Sequence, residues 1–231
     1  MSHPHATTAT STLAAVLWDF DGTLADTEPL WIAAEFEVVN GLGHAWDHSH
    51  AEQLVGNSLI DSGRYILDVI GRPDLTPEWM VDQLLSRVVV ALQTQPIPWR
   101  PGALELLRSL NEAGVPCALV SASYRVLLEA ALTQLPPGSF QATVAGDEVT
   151  RGKPDPEPYE TACRLLGVHA RDCVVIEDSV TGAASGNATD ALVLAVPNVV
   201  HVPPAPRRVL IKSLTELDAA EVARLLETAN A

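Results

Sequence analysis

Positive charge is scarce in this chain. Lys and Arg number 14 against 29 Asp and Glu in 231 residues, giving a formal net charge of −15. Nucleic acid and anionic bilayers are held by clustered Lys and Arg, so a surface this acidic argues against both as partners. An anionic small molecule must be held locally, by a metal ion, by one or two cations, or by backbone N–H groups. Long apolar runs are missing as well, which leaves no candidate for a transmembrane helix. The first twelve residues, MSHPHATTATST, lack the basic stretch and apolar core of a signal peptide and read as a polar leader, 1–12. Cysteine is sparse: Cys117, Cys163 and Cys173 lie far apart in apolar surroundings with no CxxC pair, the pattern of buried thiols in a reducing, cytoplasmic compartment. There is no GxxxxGK[ST] loop and no complete GxGxxG after a strand, which argues against a nucleotide-binding kinase.

What is present is enough apolar material for a large core, 47% of residues, with 19% charged. Short apolar runs end in polar residues: AAVLW (14–18) before Asp19, VPCALV (115–120) before Ser121, CVVI (173–176) before Glu177, and ALVLAV (191–196). They predict fully buried strands, with weaker ones at 142–145 and 209–211. Helical patterns fall between them, at 101–113, 124–135, 156–166, 180–188 and 214–228. Alternating strands and helices predict an α/β fold with a parallel sheet covered on both faces, and ligands beyond the carboxyl ends of its strands. The stretch 27–96 breaks the rhythm: it carries no buried strand and reads as helices near 30–40, 50–55, 60–69 and 77–92. The expected organisation is a leader (1–12), a catalytic core (13–26 and 97–231) and an inserted helical unit (27–96).

Asp19-Phe20-Asp21-Gly22-Thr23 follows the first strand, so both carboxylates can turn toward one site. Phosphate-monoester hydrolysis needs a nucleophile, a proton donor for the leaving oxygen and charge neutralisation; Asp19 can supply the first and Asp21 the second. A turn closed by Asp side chains fits the same string. Lys153 is either a solvated lysine or a point charge balancing Asp19 and phosphoryl oxygens. Glu177-Asp178 either caps a helix or holds a hard cation such as Mg²⁺. Ser121 can bond a phosphoryl oxygen or cap a helix.

The order of these pieces resembles the four motifs of the haloacid dehalogenase superfamily: DFDGTLADTEP at 19–29, VSAS at 120–123, RGKPDPEPY at 151–159 and VIEDSVTGAASGNATDAL at 175–192. The resemblance covers residues 13–215. It implies a Rossmann-like core with an α-helical cap of the type inserted after the first motif, closing over the site near a hinge at Asp26-Thr27. It implies Asp19 as nucleophile and Mg²⁺ ligand, Asp21 as acid/base with its backbone carbonyl on the metal, Asp178 as a further ligand, and Glu177 holding a metal-bound water. Ser121, Ala122 and Lys153 would bind the phosphoryl group. Expelling halide needs no proton, so the presence of Asp21 points away from dehalogenation.

DTEPLW (26–31) is similar to the corresponding string of hexitol and deoxyhexose phosphatases within the β-phosphoglucomutase branch. The mutases usually carry His where Trp31 stands, and an Arg after a cap Gly-x-Ser that reads Gly56-Asn57-Ser58-Leu59 here. The expectation is therefore a phosphatase of sugar or polyol phosphates, active as a monomer, with Glu28, Trp31, Asn57 and Ser58 as candidate substrate contacts. A mutase-like phosphotransferase, with Arg64 or Arg125 replacing the missing cation, and a non-enzymatic phospho-acceptor switch are the alternatives. HAWDHSH (44–50) reads as a solvated loop, its His spacing unlike HExxH. Gly182 and Gly186 read as close packing of a helix on the sheet.

Overall fold

The structure is a computed structural model that describes residues 13–54 and 57–231. The expected leader, and the Val55 and Gly56 of the expected cap loop, lie outside those residues. Six strands form one parallel sheet: β1 Ala15–Trp18, β2 Cys117–Val120, β3 Ala142–Val144, β4 Cys173–Glu177, β5 Leu192–Ala195 and β6 Arg208–Leu210. Their order, β3-β2-β1-β4-β5-β6, puts β1 in the middle. The chain leaves β1 toward β2 on one side and reaches β4 on the other, which opens a crevice at the carboxyl ends of β1, β2 and β4.

The continuous apolar runs are explained by burial on both faces. Val16 and Trp18 of β1, with Val174 and Ile176 of β4, join one apolar layer. Ala15 and Leu17, with Cys173 and Val175, join the other. The first layer is covered by α5 (Ala103–Glu112), α6 (Arg125–Leu132) and α9 (Ala219–Asn230), through Leu106, Leu110, Leu127 and Leu226. The second is covered by α7 (Glu157–Leu166) and α8 (Val180–Ala188), through Tyr159, Ala162 and Ala183. A Cβ on Gly186 would lie 2.9 Å from Val175 Cγ1 and 3.0 Å from Val193 Cγ2, so the GxxxG of α8 is indeed a close helix–sheet contact. The last helix begins later than its pattern predicts: Leu214–Glu216 is a separate 3₁₀ turn, and Asp218 caps α9 by accepting from the Glu221 N–H.

Between β1 and α5 the described residues form four helices: α1 Glu28–Gly41, α2 His48–Glu52, α3 Leu59–Ile70 and α4 Pro77–Thr94. Their starts follow local chemistry: Asp47, Ser58 and Thr76 cap α2, α3 and α4, and Pro29 and Pro77 occupy first turns. α3 and α4 meet so closely that a Cβ on Gly63 would sit 2.7 Å from the Pro77 carbonyl oxygen. The two crossings between this insert and the sheet run side by side. Asp26 N–H donates to Pro98 O at 2.7 Å, Arg100 N–H to Leu24 O at 3.0 Å, and Ala25 bridges Trp99.

The histidine segment is only partly the solvated loop its polarity predicts. His48 and His50 lie in α2, His50 stacks on Trp46 at 4.8 Å between centroids and bonds the Tyr65 hydroxyl, and His48 tilts against Phe36. Buried Trp46 draws His50 inward, while His48 stays exposed. No described histidine belongs to a cluster able to hold a metal.

Candidate active site

Separate strand ends deliver the polar groups to one place. Asp19 follows β1, Ser121 follows β2, Glu177 ends β4 and Asp178 comes next. Gly22 makes the turn after Asp19 with φ 85°, and a Cβ there would fall 2.1 Å from Asp178 Oδ2. The two acidic motifs therefore touch, and Thr23 ties them by donating to Asp178 Oδ1 at 3.1 Å.

Lys153 reaches in from the loop before α7, its side chain only 6% exposed. Its ammonium donates to Asp19 Oδ1 at 2.7 Å, to Glu177 Oε1 at 2.6 Å and to Val120 O at 3.0 Å. Tyr159 also donates to Glu177 Oε1, at 2.8 Å, and Ser179 donates its hydroxyl to Oε2 at 3.0 Å. A Cβ on Gly182 would lie 1.8 Å from Glu177 Oε1, so the first turn of α8 leaves no room for a side chain there.

Ligand atoms of Asp19, Glu177 and Asp178 lie within 4.8 Å of one another, all buried. Three acids with one ammonium leave local negative charge in excess. Burial, then Glu177, pushes Asp19 up to about 7, even with Lys153 pulling the other way. Burial, then Asp19 and Glu177, pushes Asp178 up to about 8. Burial opposes the Lys153 charge, but Asp19 and Glu177 outweigh it and hold the lysine above its ordinary value. Asp19 Oδ2 is buried with no hydrogen-bond partner. An orphaned carboxylate oxygen within an acidic cluster is what a hard divalent cation would satisfy, so these residues fit Mg²⁺.

Asp21 is placed differently. Its Oδ2 accepts from Ser121 Oγ at 3.0 Å and Ser123 Oγ at 2.8 Å, and its Oδ1 from Thr27 Oγ1 at 2.7 Å and Trp31 Nε1 at 3.2 Å. Its carboxylate is outside the acidic cluster and is bonded by groups from both the core and the inserted helices. A cavity of about 320 Å³ opens over the site, walled by Asp19, Asp21, Lys153 and Asp178 from the core and by Glu28, Trp31, Glu35, Asn57 and Ser58 from the insert.

A sequence model of haloacid dehalogenase-like hydrolases matches residues 16–196. The chain is a haloacid dehalogenase-like hydrolase. Hexitol phosphatase B of Escherichia coli is 32% identical over 223 residues, covering 91% of this chain and 96% of that protein. The bifunctional riboflavin kinase/FMN phosphatase of Arabidopsis thaliana is 32% identical over 190 residues, 80% of this chain, but the chain spans only 49% of its length. Among solved structures, CbbY from Rhodobacter sphaeroides, in complex with phosphate, superposes with a TM-score of 0.79 at 27% identity, over 90% of this chain and 98% of that one. Phosphatases recur among these relatives, and the enzyme class is phosphoric monoester hydrolase.

Most expected positions in the hydrolase come together: Asp19, Lys153, Glu177 and Asp178 meet, and Asp21, Ala122, Glu28, Trp31, Asn57 and Ser58 line the cavity. Three differ. The Ser121 hydroxyl, expected on a phosphoryl oxygen, is given to Asp21. Arg125 pairs with Glu148 and donates to Thr143 Oγ1 at 2.7 Å, tying α6 to the sheet. Arg64 pairs with Asp61 on the surface. Neither arginine lines the cavity, so neither replaces the missing cap cation in this arrangement. Sequence reasoning missed Ser123, Thr27 and Tyr159, although all three lie inside the quoted motifs, and it missed Glu35 altogether.

Proposed function

We propose that this hydrolase is a Mg²⁺-dependent phosphatase that cleaves a small sugar or polyol phosphate through a phosphoryl group carried on Asp19. The observation that carries this reading is the buried meeting of Asp19, Glu177, Asp178 and Lys153 beside Asp21, at the floor of one cavity. Asp19 and Asp178 would hold the cation, with the backbone carbonyl of Asp21 as a further ligand and Glu177 acting through water. Bound there, Mg²⁺ would supply positive charge against the acidic cluster and the phosphoryl oxygens. Asp19 attacks phosphorus as the bond to the leaving oxygen breaks, and Asp21 gives that oxygen its proton. Asp21 then takes a proton from the water that attacks phosphorus, releasing inorganic phosphate and restoring Asp19. Lys153 holds Asp19 and neutralises charge, with the backbone of Ser121 and Ala122 beside the phosphoryl group. Ser121 and Ser123 orient Asp21.

Residues 27–96 act as a cap that excludes water, hinged where the two crossings run together, and 13–26 with 97–231 form the core. Three free buried cysteines fit a reducing, cytoplasmic compartment. No helix among the described residues is long and apolar enough to cross a membrane. A mutase must grip two phosphates, and no cation but Lys153 stands among the described cavity residues. Wild type with Mg²⁺ should hydrolyse a generic aryl phosphate and Asp19→Asn should not; no wild-type turnover across a broad phosphate panel would end this reading. With a hexose 1-phosphate, free phosphate is expected; an isomerised hexose phosphate would mark a mutase.

A further inference from the structure

The cavity that contains the phosphoryl chemistry has a second acid in its wall that this chemistry does not use. Glu35 lies on the inward side of α1 and is 5% exposed. Its Oε2 accepts from Trp46 Nε1 at 3.1 Å, and no described group donates to Oε1. The insert's share of the cavity lining includes the apolar Ile32, Leu54, Leu59 and Leu84 beside the polar Asn57, Ser58 and Ser62. The second oxygen of Glu35 is left to the cavity, where a substrate donor would match it. A second anionic group finds no welcome there: Glu28 and Glu35 are acids, and Lys153, the one cation among the described lining residues, is engaged by Asp19 and Glu177. Burial, opposed by the Trp46 bond and aided by Glu28, pushes Glu35 up to about 7, so near neutral pH it can either accept from a hydroxyl or donate to one.

Resting on the phosphatase reading, we propose that Glu35 is a specificity-determining residue that hydrogen-bonds a hydroxyl at the end of the substrate remote from phosphate, so that the enzyme takes monophosphates of uncharged polyhydroxy compounds and rejects bisphosphates. Trp46 aims the carboxyl by holding one oxygen, which leaves the other for the substrate hydroxyl.

The test compares kcat/KM for a hexitol monophosphate, an amino-sugar phosphate, a hexose bisphosphate and p-nitrophenyl phosphate in wild type, Glu35→Leu, Glu35→Gln and Trp46→Phe. Glu35→Leu should lose about 10-fold or more on the hexitol phosphate, mainly in KM, while turnover of the aryl ester stays within about twofold. Glu35→Gln should recover most of the loss, Trp46→Phe should fall between, and wild type should strongly prefer the monophosphate to the bisphosphate. An equal loss on hexitol and aryl esters, no loss on the hexitol ester, a preference for the amino-sugar phosphate or ready cleavage of the bisphosphate would each overturn the assignment. Those results leave aryl phosphate hydrolysis in place; a wild type inert toward the aryl ester instead overturns the phosphatase reading and this proposal with it.

Discussion

Replacing Lys153 with Met removes the one positive charge within the acidic cluster. The ammonium sits 2.7 Å from Asp19 Oδ1 and 2.6 Å from Glu177 Oε1, and these side chains are 6%, 8% and 1% exposed. Breaking a buried ion pair by removing one partner costs about 3–5 kcal/mol, a large part of a stability of about 5–15 kcal/mol. Protonation limits the cost. Asp19 stands near 7 with the lysine beside it, chiefly because it is buried, and without the lysine it rises further. A raised carboxyl contributes stability that is fully present below its unfolded value, near 3.8, and is lost as pH climbs through its folded value. Below about pH 7 both proteins carry a protonated Asp19 and the stability gap is nearly constant; above it, wild-type Asp19 ionises against the ammonium while the variant must keep its proton, and the gap widens. Urea unfolding with chelator present, at about pH 6 and about pH 9, measures this directly. A gap below about 1 kcal/mol, or one that narrows with rising pH, would refute the reasoning. The same variant should lose about 10²–10³ in kcat toward an aryl phosphate.

Other outcomes follow from the same geometry. Gly182→Ala drives a methyl into the Glu177 carboxylate, which would lie 1.8 Å away, and should cost about 1–3 kcal/mol in a melting experiment together with most activity. Metal-free protein holds protons on Asp19, near 7, and Asp178, near 8, so Mg²⁺ binding at neutral pH should release about one to two protons. Calorimetry in buffers of different ionisation heat reads that number; Mg²⁺ binding without proton release would show that these carboxyls are already ionised in the metal-free protein.

The strands were legible because parallel strands buried on both faces need unbroken apolar runs, and the polar residues closing those runs became the cluster at Asp19, Glu177 and Asp178. Spacing could not give the partners of Asp21. Ser123 and Thr27 are ordinary hydroxyl residues until β2 and α1 carry them to the same carboxylate. Tyr159 looks like core and is core, yet its hydroxyl serves Glu177. Glu35 was hidden for another reason: an acid in a surface-like helical pattern carries no sign that Trp46, eleven residues on, will cover it. The same tryptophan makes a packing partner of His50, which composition assigned to a loop.

The central claim is that Asp19 carries the phosphoryl group and Asp21 supplies and removes the proton. An aryl leaving group hardly needs that proton, but the water of the second step does, so Asp21→Asn mixed with an aryl phosphate and Mg²⁺ separates the two steps. Peptide mass spectrometry of the quenched protein should find one phosphoryl group on Asp19, accumulating in Asp21→Asn and absent from Asp19→Asn. Continued consumption of the ester with no phosphorylated protein, or a phosphoryl group on any other residue, would contradict the account.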